Sequence, residues 1–141
     1  MKQWIIWLIL FLSIIAEGTI TTLPLVLSSF LILMVFLRKN ILFWIALIVG
    51  LILDLMLVRD LGLTSVIFLF FLIIISLYEN KFETSTSAFI LISSFLGSLI
   101  YLLFFGIQNA FIQSIFCSFL TLLIFKLLLI SEIKTKKYKF E

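Results

Sequence analysis

Six long apolar runs follow one another along this chain, separated by short stretches that hold nearly all of its charge. They are Trp4–Ala16, Leu23–Leu37, Ile41–Val58, Leu61–Leu77, Ser85–Phe105 and Ala110–Ile130, and within them only Asp54 and Lys126 are charged. A helix crossing membrane hydrocarbon needs about 20 predominantly apolar residues. The last two runs meet that length unaided. The first two are short, so each either extends through the Glu17–Thr22 junction or lies where the bilayer is locally thinned or the helix tilted. Gly18 and Pro24 interrupt the stretch between them and argue against one fused helix. The expected architecture is an all-α integral membrane protein. It is a compact bundle of about six transmembrane helices over residues 1–130, or five spans if the first two runs do not both cross. Residues 131–141 form a basic cytoplasmic tail.

Composition agrees with this reading. Of 141 residues, 65% are hydrophobic and 12% charged, against about 25% charged in soluble domains. Such a deficit makes sense where most side chains never meet water. The net charge of +3 is distributed as a topology signal and not as a nucleic-acid footprint. With the N-terminus in the cytoplasm, the inner segments carry Lys2, Arg38, Lys39, Lys81, Lys134, Lys136, Lys137 and Lys139, and the outer ones carry Arg59. That asymmetry predicts both termini on the cytoplasmic side of the membrane and an even number of spans. The tail lysines are expected to meet anionic lipid headgroups, and Lys126 to snorkel towards them. A signal peptide needs small residues at the −3 and −1 positions of its cleavage site. Ile14 before Ala16 fits that poorly, so the first run is read as an uncleaved helix.

The chain has no histidine, and Cys117 is its single cysteine. The commonest general base and metal ligand are therefore missing, and an internal disulfide or thiolate cluster is excluded. Cys117 is read as a small buried apolar residue. No Ser–His–Asp set, paired intramembrane carboxylates, HExxH or glycine-rich phosphate loop occurs. The expectation is a protein that is not an enzyme and takes no metal or cofactor.

Asp54 is the residue that stands out, because an ionisable group inside a span is costly and usually has a partner. It lies about one turn before Val58. Two readings stay open: a carboxylate that reaches the interface near Arg59, or a specific contact between helices. Ala46, Gly50 and Asp54 recur every four residues and so share one helical face, where small side chains admit close helix approach. Ser93–Gly97–Tyr101 and Ser114–Ser118 form similar stripes in the fifth and sixth runs. Glu17 is read as an interfacial carboxylate at the outer mouth of the first two helices, without a function. Trp4, Trp7 and Trp44 fall near cytoplasmic ends, as interfacial anchors do.

The segment from Arg38 to Phe82 carries a resemblance. A basic doublet leads into a span ending Gly50-Leu51-Ile52-Leu53-Asp54-Leu55, and Leu61-Gly62-Leu63-Thr64 opens the next. This G-L-x-x-D segment followed by L-G is similar to the signature of the rod-shape-determining protein MreD family. Pro24, opening an apolar run, resembles that family's second helix, and Tyr101 also fits. The resemblance implies a six-helix bundle similar to the S components of energy-coupling-factor transporters. It implies a non-catalytic role in the bacterial elongation machinery, beside the single-span protein MreC and with MreB, RodA and a transpeptidase. Gly50, Asp54 and Gly62 are the expected key positions, for close packing, hydrogen-bond acceptance and a turn respectively. The alternative function is a substrate-binding membrane subunit of a vitamin-type transporter, whose first helix typically presents an Ala-x-x-x-Ala face. The first run here has one alanine.

Overall fold

The computed structural model describes residues 3–19, 22–36, 39–79, 81 and 86–137, with side chains omitted at 3, 39 and 132–137. Among the described residues six helices occupy the six apolar runs: α1 (Gln3–Thr19), α2 (Leu25–Phe36), α3 (Lys39–Met56), α4 (Leu63–Glu79), α5 (Ser87–Phe104) and α6 (Ala110–Lys137). Lys2, Arg38 and Lys139, and the side chains of Lys39, Lys134, Lys136 and Lys137, lie outside the described residues. The charge asymmetry therefore has no structural counterpart here.

Two of the expected boundaries shift, each for a local reason. Helix α1 continues through Gly18 to Thr19, because a single glycine weakens a helix by only about 1 kcal/mol. Helix α6 runs on to Lys137, so the expected tail is helical over 131–137. Neither glycine nor proline follows Ile130 before residue 137, and nothing there stops the helix.

Helix α2 is the centre of the bundle. It contacts α1, α3, α5 and α6, and every residue from Val26 to Met34 is buried. A helix that is apolar all round has no solvent face and belongs inside. At 12 residues it is about 18 Å long, shorter than the helices around it. On one side of it, Phe30 meets Phe68 edge-on with ring centroids 5.3 Å apart, and Leu42, Ala46 and Leu53 of α3 complete the layer. On the other, Ile32 packs with Ile90, Phe125 and Leu128 of α5 and α6. The most extensive pairings are α5 with α6 and α3 with α4.

The outside of the bundle is apolar as well as its core. The buried set includes Glu17, Asp54, Thr64, Ser94, Ser98, Ser114 and Thr121, whereas Trp4, Phe11, Trp44, Phe70, Phe111 and Phe119 face outward. Two helices, Ser87–Phe104 and the 110–131 part of α6, are long and apolar enough to cross a membrane. Only about a third of each is buried. A soluble core helix of that hydrophobicity hides most of its surface, and these two do not.

Candidate functional site

The polar side chains converge on one end of the bundle, where α1, α3 and α5 finish and α2, α4 and α6 begin. Hydrogen bonds tie these termini together. Each joint begins from the same need: the first N–H groups of a helix have no intrahelical partner, and in an apolar surrounding an unmet donor is expensive.

At the α3–α4 joint the acceptor is Asp54, which is 0% exposed. Its carboxylate takes the Gly62 N–H at 2.8 Å, the Thr64 N–H at 3.3 Å and the Thr64 hydroxyl. A negative charge at a helix N-terminus also complements the dipole there. Gly62 makes the turn possible, since its φ of +92° is a conformation side chains rarely adopt. Farther along the same face, Gly50 sits against the backbone of Ser65. A Cβ at position 50 would lie 2.5 Å from the Ser65 Cα, so only glycine allows this approach. The Ser65 hydroxyl then donates to the Leu47 carbonyl at 3.0 Å. Ala46 is buried one turn earlier. Of the two readings left open for Asp54, the structure shows the contact between helices.

Helix α3 itself ends in an unusual way. The Arg59 N–H bonds back to the Asp54 carbonyl at 3.0 Å, the six-to-one bond of a Schellman motif. The left-handed residue this requires is Val58, at φ +53° and 92% exposed. Helix α5 ends in the same motif with glycine: Ile107 N–H bonds the Leu102 carbonyl at 3.0 Å, and Gly106 has φ +65°. A β-branched residue in that region is a strained one.

At the α1–α2 joint the acceptor is Glu17, which corrects its reading as an interfacial carboxylate. It is 3% exposed. Because α1 extends to Thr19, Glu17 lies inside its last turn and faces the start of α2. One carboxylate oxygen accepts the Val26 N–H at 2.9 Å. The other accepts the Tyr101 hydroxyl at 2.8 Å. Tyr101 in turn accepts from the Arg59 guanidinium at 3.0 Å, which lies 3.8 Å above the centre of the Phe105 ring, a cation–π arrangement. The Arg59 side chain thus reaches Tyr101, and only its backbone N–H meets Asp54. The chain Arg59–Tyr101–Glu17–Val26 links the α3–α4 connection, α5, α1 and α2. Tyr101 is buried, stacked on Phe68 with centroids 6.1 Å apart.

Pro24 stands at the head of α2, where the absence of an N–H leaves one donor fewer to satisfy. Its carbonyl accepts the Ser28 N–H and hydroxyl, each at 3.2 Å. Cys117 of α6 is wholly buried and lies 2.9 Å from the Ser28 hydroxyl. Thr22 donates to Gln113 at 3.1 Å, joining the entry of α2 to the start of α6.

The six residues singled out by sequence fall into three groups. Gly50, Asp54 and Gly62 build the α3–α4 joint, with Ala46 buried in the core one turn earlier; Pro24 meets Cys117 of α6, and Tyr101 belongs to the Glu17 chain. Sequence reasoning missed Glu17 and Arg59 as members of that chain. A signal existed: Glu17 precedes the Val26 N–H by nine residues, much as Asp54 precedes those of Gly62 and Thr64 by eight and ten. Among the described residues no three His, Cys, Asp or Glu side chains gather as metal ligands. The contacts of Asp54, Glu17, Tyr101 and Arg59 tie helix ends to one another. Searches of family models, curated proteins and solved structures return no match to this chain.

Proposed function

We propose that the chain is a multi-pass membrane protein and a non-catalytic subunit of the bacterial cell-elongation complex, partnering an MreC-like single-span protein to organise peptidoglycan synthesis. The membrane part of this reading rests on the apolar exterior: aromatic and aliphatic side chains cover the outside, while two carboxylates and several hydroxyls lie within an otherwise apolar core. That distribution is expected where the surroundings are hydrocarbon and each backbone and side-chain polar group is met internally. Trp4, Trp7 and Trp44 are exposed at the end opposite the polar joints, as interfacial aromatic residues are.

One observation carries the functional part. The G-L-x-x-D and L-G residues are spent on a single helix–helix joint, with Gly50 at the closest approach, Asp54 as acceptor and Gly62 in the turn. A motif used in this way fixes the shape of a bundle and leaves its outer faces for partners, which suits an assembly subunit. In this reading the protein sits in the inner membrane with six spans and both termini cytoplasmic, alongside MreB, RodA and a transpeptidase.

The test is affinity isolation of the tagged chain from its native membrane in mild detergent. Co-recovery of an MreC-like protein with elongation enzymes is the expected outcome. Recovery of an ATPase with a coupling subunit would replace this reading with vitamin-type transport. Release of the chain from membranes by alkaline carbonate would refute the membrane reading itself.

A further inference from the structure

Helices α4 and α5 are neighbours in sequence, but their backbones approach at few points, and a lateral groove of about 600 Å³ runs between them. Aromatic rings hold the two apart and form its floor. Phe71 of α4 lies against Gly97, where a Cβ would come within 2.4 Å of the ring. Tyr78 stacks on Phe89 with centroids 5.2 Å apart. The walls are otherwise aliphatic, from Ile74 and Ile75 to Ile92, Leu96 and Ile100.

We propose that this groove binds one acyl chain of an anionic phospholipid, with the headgroup at its Tyr78–Thr86 end. Polarity along the groove supports this occupant. Tyr78 and Thr86 place hydroxyl-bearing residues at the end where α4 finishes and α5 starts. Lys81, exposed, stands at that end too, its N–H bonded to the Tyr78 carbonyl at 3.0 Å. Glu79 is the described acid nearby, half-buried and with a partner in the fold. Deeper in, Ser93 is the one further hydroxyl, among Ile, Leu and Phe. Length supports it as well. From Thr86 to Ile100 the α5 wall is about 21 Å long, nearer to the about 15 Å depth of one leaflet than to that of both. A partner helix crossing both leaflets would need about 30 Å. A second groove, of about 460 Å³, lies on α6 between Ile112 and Leu123, and the residues lining it carry neither a hydroxyl nor a cation.

This proposal rests on the membrane reading but not on the cell-elongation role. The test is native mass spectrometry of the purified full-length chain with phosphatidylglycerol or phosphatidylcholine of the same acyl composition. The expected result is one retained phosphatidylglycerol, favoured about five-fold over phosphatidylcholine, the ratio a single lysine near a headgroup supplies. Lys81→Ala should abolish the preference. Leu96→Trp, which fills the groove, should remove the retained lipid, and Phe119→Trp on α6 should not. Slow labelling of buried Cys117 in each variant shows that the fold is kept. Equal retention of both lipids, retention unchanged by Leu96→Trp in a folded variant, or displacement by a polyisoprenyl phosphate at lower concentration would overturn the proposal. Carbonate extraction of the same membranes tests the membrane reading separately.

Discussion

Replacing Asp54 with leucine removes the acceptor for three donors at once: the Gly62 N–H, the Thr64 N–H and the Thr64 hydroxyl. The loss has two bounds. Hydrogen bonds between helices in membranes average about 0.6 kcal/mol each, so three amount to about 2 kcal/mol. A buried donor left without any partner costs about 1–3 kcal/mol. Thr64 is wholly buried, whereas Gly62 is partly exposed and can recruit water. The Thr64 hydroxyl can rotate to another acceptor. The expected destabilisation is therefore about 2–4 kcal/mol, dominated by the Thr64 N–H. Asp54→Asn keeps one acceptor oxygen and should lose about half as much. Cys117 supplies the assay, since it is the single cysteine and fully buried. Its labelling by a thiol-specific dye across an SDS titration reports opening of the bundle. The Asp54→Leu midpoint should fall, and Thr64→Val should cost measurably less in that background than in the native chain. An Asp54→Leu curve within about 0.5 kcal/mol of the native one, a shift typical of a neutral surface substitution, would refute the capping role.

Two further outcomes follow from the same end of the bundle. Val58→Gly should stabilise the protein by about 0.5–1 kcal/mol, because the left-handed conformation costs an L-residue about 1–2 kcal/mol and glycine returns part of that as unfolded-state entropy; a lowered midpoint in the same titration would refute the assignment of strain. Tyr101→Phe keeps the stack on Phe68 but removes the hydroxyl between Arg59 and Glu17. It should cost about 1–3 kcal/mol, and Cys117 labelling at the native rate would count against the chain as a tie between helices.

How much of this was legible depends on the kind of residue. Asp54 announced itself because a charge inside an apolar run has few explanations, and Gly62 was picked out as a turn through the family resemblance. Glu17 did not, because it stands at the margin of a run, where a carboxylate ordinarily meets water. Its burial comes with the extra turn of α1 beyond Ala16, which ends at Thr19. Arg59 was read towards Asp54, five residues away, and the fold sends it to Tyr101, 42 residues on. Val58 carries no sequence sign of its conformation, since the motif that demands a left-handed residue usually shows itself as glycine.

The sequence by itself determined the number and placement of the helices and the apolar character of the whole. Those follow from hydrophobicity and chain-breaking residues, which act locally. Only the tertiary structure decided that the shortest helix is the central one, that two carboxylates each cap the following helix, and that α4 and α5 stand apart around a groove. These depend on how each helix is rotated about its axis. In a chain apolar on nearly every face, periodicity gives little to read rotation from. It is set by which buried donors find acceptors and which glycines let backbones meet.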